Sequence, residues 1–108
     1  MIKREELPPC DVATAVQILS SKWKLLIIRD LLTGSKRQSE LLRSLEGISQ
    51  KVLTSSLNSM IEDGLVERID FHEKPLHVEY RLTELGNSLK PVLESLRTWG
   101  QFYKSVCE

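Results

Sequence analysis

The sequence predicts a mainly α-helical domain with one small β-hairpin, an α+β class, and three observations predict it. Apolar residues recur at helical spacing in four stretches before residue 64. The pattern then switches to strict alternation over 77–82 and returns to helical spacing from residue 83 to about 106. Finally, 108 residues with 41% hydrophobic and 28% charged side chains suit one folded unit, read as a single domain over 1–108.

The first stretch, 11–19, aligns Val12, Ala15, Val16 and Leu19 on one face, with Asp11 available as a cap. Ser20-Ser21 can cap a second helix over about 22–33. Trp23, Leu26, Ile27 and Leu31, widened by Leu25, Ile28 and Leu32, make that helix apolar nearly all round. Such a helix belongs at the centre of a small domain, and Gly34 is its stop. A third helix over about 38–45 offers Leu41, Leu42 and Leu45 to a core. Glu46-Gly47-Ile48 makes a turn, and Ser49 is placed to cap a fourth helix over about 50–63, ended by Gly64. The fourth helix has an apolar stripe of Leu53, Leu57, Met60 and Ile61 opposite a polar face of Gln50, Lys51, Thr54, Ser55 and Asn58. A short helix, a tight glycine turn and a second helix with one clean polar face make a helix-turn-helix pattern over about 38–63.

Beyond it, Val78, Tyr80 and Leu82 alternate with His77, Glu79 and Arg81, as in a half-buried strand. Leu65 to Phe71 is strand-like with poorer alternation, and His72-Glu73-Lys74-Pro75-Leu76 is a turn-rich tip with both histidines exposed. The hairpin over about 65–82 stands where a wing would follow a helix-turn-helix. Thr83 then caps a final helix over about 83–106, in which Pro91 should produce a kink. Along it Leu85, Leu89, Val92, Leu96, Trp99, Tyr103 and Val106 are spaced 4, 3, 4, 3, 4, 3, an unbroken heptad seam. That is more apolar surface than a core of this size absorbs.

Fifteen Lys and Arg balance fifteen Asp and Glu, but the balance is uneven along the chain. Residues 20–58 hold seven cations against three carboxylates, a surplus of four, flanked by acidic ends. Apolar runs reach only four residues, at Leu25 to Ile28, so no membrane span is expected; neither is a secretory leader. A cytoplasmic chain is expected, with Cys10 and Cys107 reduced rather than forming a disulfide framework. No serine lies in a nucleophile elbow, no glycine-rich phosphate loop occurs, and Cys10, His72, His77 and Cys107 lack metal-ligand spacing. No enzyme activity, metal or cofactor is expected.

Two function classes fit what remains. One is a sequence-specific DNA-binding regulator; the other is a winged-helix protein-interaction module without specific DNA binding. The short, hydrogen-bonding side chains of the fourth helix suit insertion into a major groove about 12 Å wide. Acidic residues are absent there until Glu62-Asp63, which favours the first class.

From Cys10 to Trp99 the chain resembles the HxlR family of winged helix-turn-helix transcriptional regulators, relatives of the MarR group. The resemblance rests on Cys10 ahead of the first helix, Lys22-Trp23-Lys24, Arg37 with Glu40-Leu41, and Gly47-Ile48-Ser49-Gln50-Lys51-Val52-Leu53. It continues through Glu62-Asp63-Gly64-Leu65-Val66, Val78-Glu79-Tyr80-Arg81-Leu82-Thr83-Glu84-Leu85-Gly86, Leu96 and Trp99. Four positions depart from the family pattern: Ser20-Ser21 replaces a glycine pair, Gln38 replaces an aromatic residue, and Asp11 replaces a proline.

The resemblance implies a homodimer on a pseudo-palindromic site in double-stranded DNA, with terminal helices forming the dimer interface through Leu89, Val92, Leu96, Trp99 and Tyr103. Lys36, Arg37 and Lys74 would meet phosphates, while Gln50, Lys51, Thr54, Ser55 and Asn58 would meet base edges. Ser39 and Ser49 complete the DNA-facing set. A small-molecule or oxidant effector is a further implied partner, with Cys10 the redox-sensing candidate, because some family members sense oxidants or electrophiles at this cysteine.

Overall fold

A computed structural model describes residues 1–107. After a 3-10 turn at Arg4–Glu6, the described residues form α1 (Asp11–Leu19), α2 (Lys22–Leu31), α3 (Gln38–Ser44) and α4 (Gln50–Glu62). The antiparallel strands β1 (Val66–Asp70) and β2 (Val78–Leu82) follow, then α5 (Glu84–Asn87) and α6 (Lys90–Val106). The expected class, mainly helical with a small hairpin, is the fold.

Side-chain caps start three of the helices. Ser21 Oγ accepts from Trp23 N at 3.1 Å, Ser49 Oγ from Val52 N at 3.1 Å, and Thr83 Oγ1 from Gly86 N at 3.1 Å. Each cap satisfies a backbone donor that the helix itself leaves free and contributes about 1 kcal/mol. Between α3 and α4 the chain turns at Gly47, whose φ of +92° lies where a side chain would strain the backbone. α2 crosses the centre as expected, with Ile27, Ile28 and Leu31 buried. Around it close Leu41 and Leu45 from the α3 region, and Leu53, Leu57 and Met60 from α4. The hairpin end supplies Leu65, Val66, Tyr80 and Leu82. The hairpin register pairs Val66 with Leu82 and Arg68 with Tyr80. A further bridge was not visible in the sequence: Lys36 N donates to Tyr80 O at 2.9 Å and Tyr80 N to Lys36 O at 2.8 Å. That pair fastens the entry of α3 to the wing.

Three local expectations need correction. Cys10, not Asp11, occupies the N-cap of α1, and its side chain makes no cap hydrogen bond; Asp11 is the first helical residue. An acid in either place meets the positive helix end, so the pattern does not separate them. On the apolar face of α1, Val12 and Val16 are 72% and 60% exposed, and α1 rests on the core through Ile18 and Leu19.

The C-terminal segment is two helices rather than one kinked helix. The break falls at Ser88 and Leu89, and Pro91 sits in the first turn of α6, where its missing N–H costs nothing. Last, His77 is not exposed. Its ring stacks on Phe71 at 4.2 Å, and Nε2 lies 2.6 Å from the Glu79 carboxylate. The closing hairpin brings the end of β1 back over that ring.

Candidate nucleic-acid interface

The buried Leu53, Leu57 and Met60 fix the rotation of α4, so its opposite face turns to solvent. Gln50, Lys51, Thr54, Ser55 and Asn58 are all exposed there. Val52, 37% exposed, is the apolar member of the same surface and was not anticipated. Ser49 is exposed, but its Oγ is engaged as the helix cap. Ser55 Oγ turns back to Val52 O at 3.1 Å. Thr54 Oγ1 accepts from Gln38 Nε2 of α3 at 2.7 Å, a contact between the two helices of the motif.

Arg37 and Ser39 are exposed at the start of α3, and Lys36 is half-buried beside them. Together with Gln38 and Arg68, Leu76, Val78 and Tyr80 of the hairpin region, Arg37 and Ser39 line a surface depression of about 300 Å³. The entry of α3 and the wing therefore form one surface. Arg68 belongs to it and escaped the sequence reading; its place beside Tyr80 on one face of the hairpin depends on the strand register. Lys74 is exposed at the wing tip.

Acidic groups near this surface are occupied within the chain. Glu40 Oε1 accepts from Arg37 N at 2.9 Å. Asp30 accepts from Arg29 Nε at 3.0 Å and from Ser44 Oγ at 2.6 Å. Glu67 is paired across the hairpin with Arg81. The cationic side chains at 36, 37 and 51 carry no ion pair among the described residues. The unpaired cations at 36, 37 and 51 leave local positive charge on this surface, which favours a polyanion.

A second surface is apolar. Val92, Leu96, Trp99, Phe102, Tyr103 and Val106 of α6 are all exposed, Trp99 by 62%. Leu89 behaves differently from its expected partners in the seam, being half-buried and packed on its own core beside Leu93. Both cysteines are free and exposed, Cys10 ahead of α1 and Cys107 just after α6. Among the described residues no three His, Cys, Asp or Glu side chains are grouped to hold a metal ion. No helix there is long and apolar enough to cross a membrane.

The HxlR-like helix-turn-helix family matches residues 18–107. The HTH-type transcriptional regulator YkvN of Bacillus subtilis is 42% identical over 94 residues, which span 87% of this chain and 80% of that protein. A MarR-family transcriptional regulator from Enterococcus faecalis V583 has a similar structure, with TM-score 0.78, 39% identity, and coverage of 97% of this chain and 92% of the other. The redox regulator HypR in its reduced form is also similar, with TM-score 0.85, 33% identity, and coverage of 90% and 96%.

Proposed function

The chain belongs to the HxlR-like helix-turn-helix family and is a DNA-binding transcriptional regulator, and we propose that it acts in the cytoplasm as a homodimer on a pseudo-palindromic site. The observation that carries this reading is the exposed, acid-free, hydrogen-bonding face of α4. The proposed reading unit is about 38–63, with the wing at about 65–82 and the dimerising segment at about 83–106. Gln50, Lys51, Thr54, Ser55 and Asn58 read base edges, while Lys36, Arg37 and Lys74 hold phosphates, with Ser39 and Ser49 beside them. Leu96, Trp99, Tyr103, Val92 and Leu89 supply the contact between copies; the exposed apolar side of α6 supports that role for the first four.

Selection from a random duplex pool tests the reading. A two-fold symmetric site is expected, with half-sites about 10 base pairs apart. Lys51→Ala and Asn58→Ala should each weaken that site by about 1–3 kcal/mol and relax one position. Lys36→Ala should instead weaken every sequence alike and shallow the salt slope by about one. Recovery of no enriched sequence contradicts the reading.

A second reading adds an oxidant signal, supported by the exposure of Cys10 and Cys107 and by likeness to the redox regulator HypR. Cys10 stands at the N-cap of α1 and Cys107 just after α6. Diamide would take two electrons and two protons from Cys10 and a Cys107 thiol, joining the sulfurs and becoming the hydrazine. Oxidised wild type should release operator DNA, and Cys10→Ser and Cys107→Ser should stay bound. Equal release by wild type and Cys10→Ser removes the redox role.

A further inference from the structure

We propose that Gln38 and Thr54 together form an adenine-reading pair, Gln38 both fixing the Thr54 hydroxyl and presenting its own amide; this rests on the proposed contact of α4 with base edges. Gln38 opens α3 and is half-buried, whereas Thr54 is exposed in the second turn of α4. The two meet across the helix-turn-helix, Gln38 Nε2 donating to Thr54 Oγ1 at 2.7 Å. A threonine hydroxyl has one hydrogen to give and lone pairs to receive. Having received from the amide, Thr54 keeps its hydrogen for another acceptor.

A helical threonine often gives that hydrogen back to its own helix. Ser55 does so, to Val52 O at 3.1 Å. Thr54 makes no such bond among the described residues, and neither does Gln38 Oε1. With the amide nitrogen donating, the carbonyl oxygen is left as a free acceptor; with the amide turned end for end, Thr54 would donate to that oxygen and leave an N–H free, so the pair offers one donor and one acceptor either way. A donor and an acceptor are thus held side by side on the reading surface.

Of the four bases, adenine presents both an acceptor, N7, and a donor, the N6 amino group, at its major-groove edge. Guanine presents two acceptors there, cytosine a donor, and thymine an acceptor beside a methyl group. The pair therefore complements adenine. Thr54 alone, its hydroxyl free to rotate, would accept or donate indiscriminately. Gln38 makes it one member of a fixed donor and acceptor pair.

The test compares sites selected by wild type, Gln38→Leu, Thr54→Val, Thr54→Ser and Ser55→Ala, each first matched to wild type in melting temperature. Wild type and Thr54→Ser should share one position per half-site with an adenine preference. Gln38→Leu and Thr54→Val should each lose roughly ten-fold of that discrimination, and the double variant no more than either single. Ser55→Ala should keep it. Because the other positions stay fixed, a merely structural weakening would not give this result. An unchanged adenine preference in Gln38→Leu, or guanine at the sensitive position, overturns the inference and leaves the DNA-reading proposal standing. Failure of wild type to enrich any sequence overturns both.

Discussion

Gly86→Ala is expected to destabilise the domain by about 3 kcal/mol or more, near the upper end of what overpacking costs. Gly86 is buried in α5, and a Cβ placed there would stand 2.1 Å from Leu65 O and 3.1 Å from Leu82 Cδ2. The nearest atom is backbone, so no rotamer change relieves the clash. Leu65 O also accepts from Thr83 N at 3.0 Å, and Thr83 Oγ1 donates to Gly64 O at 2.6 Å. Moving α5 away would stretch both bonds and open the core at Leu65 and Leu82. For a domain whose total stability is about 5–15 kcal/mol, that is a large share. Urea unfolding followed by circular dichroism checks it: the midpoint should fall sharply, and a midpoint equal to wild type would refute the close approach.

Leu96→Asp or Trp99→Asp should convert a dimer into a monomer or an aggregate. Leu96 and Trp99 are 47% and 62% exposed, and the rings of Trp99 and Tyr103 lie 5.4 Å apart on the same side of α6. In the proposed dimer this side is covered by the second copy. A carboxylate placed there without a partner costs several kcal/mol, which falls mainly on the association equilibrium at the more exposed Trp99, whereas Leu96 also lines a groove with Leu25 and Leu26 of its own chain. The Trp99 variant should therefore melt much as an isolated wild-type monomer would, while light scattering shows half the mass. Operator affinity should fall with dimerisation, since a monomer engages one half-site at a time. A wild-type monomer at micromolar concentration would end the dimer proposal.

The helix-turn-helix was legible because its signals are local. Leu53, Leu57 and Met60 fall at 3.6-residue spacing, Ser49 is a good cap, and Gly47 lies at the turn that needs it. Alternation over 77–82 located β2 for the same reason. The break between α5 and α6 was hidden by a continuous apolar phase. Ser88 and Leu89 keep right-handed backbone angles, so the heptad seam runs through the interruption undisturbed. On α1, apolar residues lie on several sides of a nine-residue helix, and periodicity does not tell a core face from one left for another surface. Val12 and Val16 share one face with Leu19 and are exposed, whereas Leu19 packs on the core.

At the candidate site, the polar face of α4 could be read directly, but its internal bonding could not. The Gln38–Thr54 contact spans sixteen positions and depends on how α3 approaches α4. The Lys36–Tyr80 bridge likewise joins distant backbone through one residue pair, too short to leave a period in the sequence.

Half-site spacing tests the central claim, that two copies place their α4 helices in successive major grooves. Affinity would be measured for a duplex with the selected half-sites about 10 base pairs apart, and for one with about five more inserted between them. The added half-turn moves one half-site to the opposite side of the duplex. Tight binding to the first is expected, with a loss of roughly ten-fold or more for the second, as simultaneous engagement is lost. Equal affinity for the two duplexes would contradict the claim.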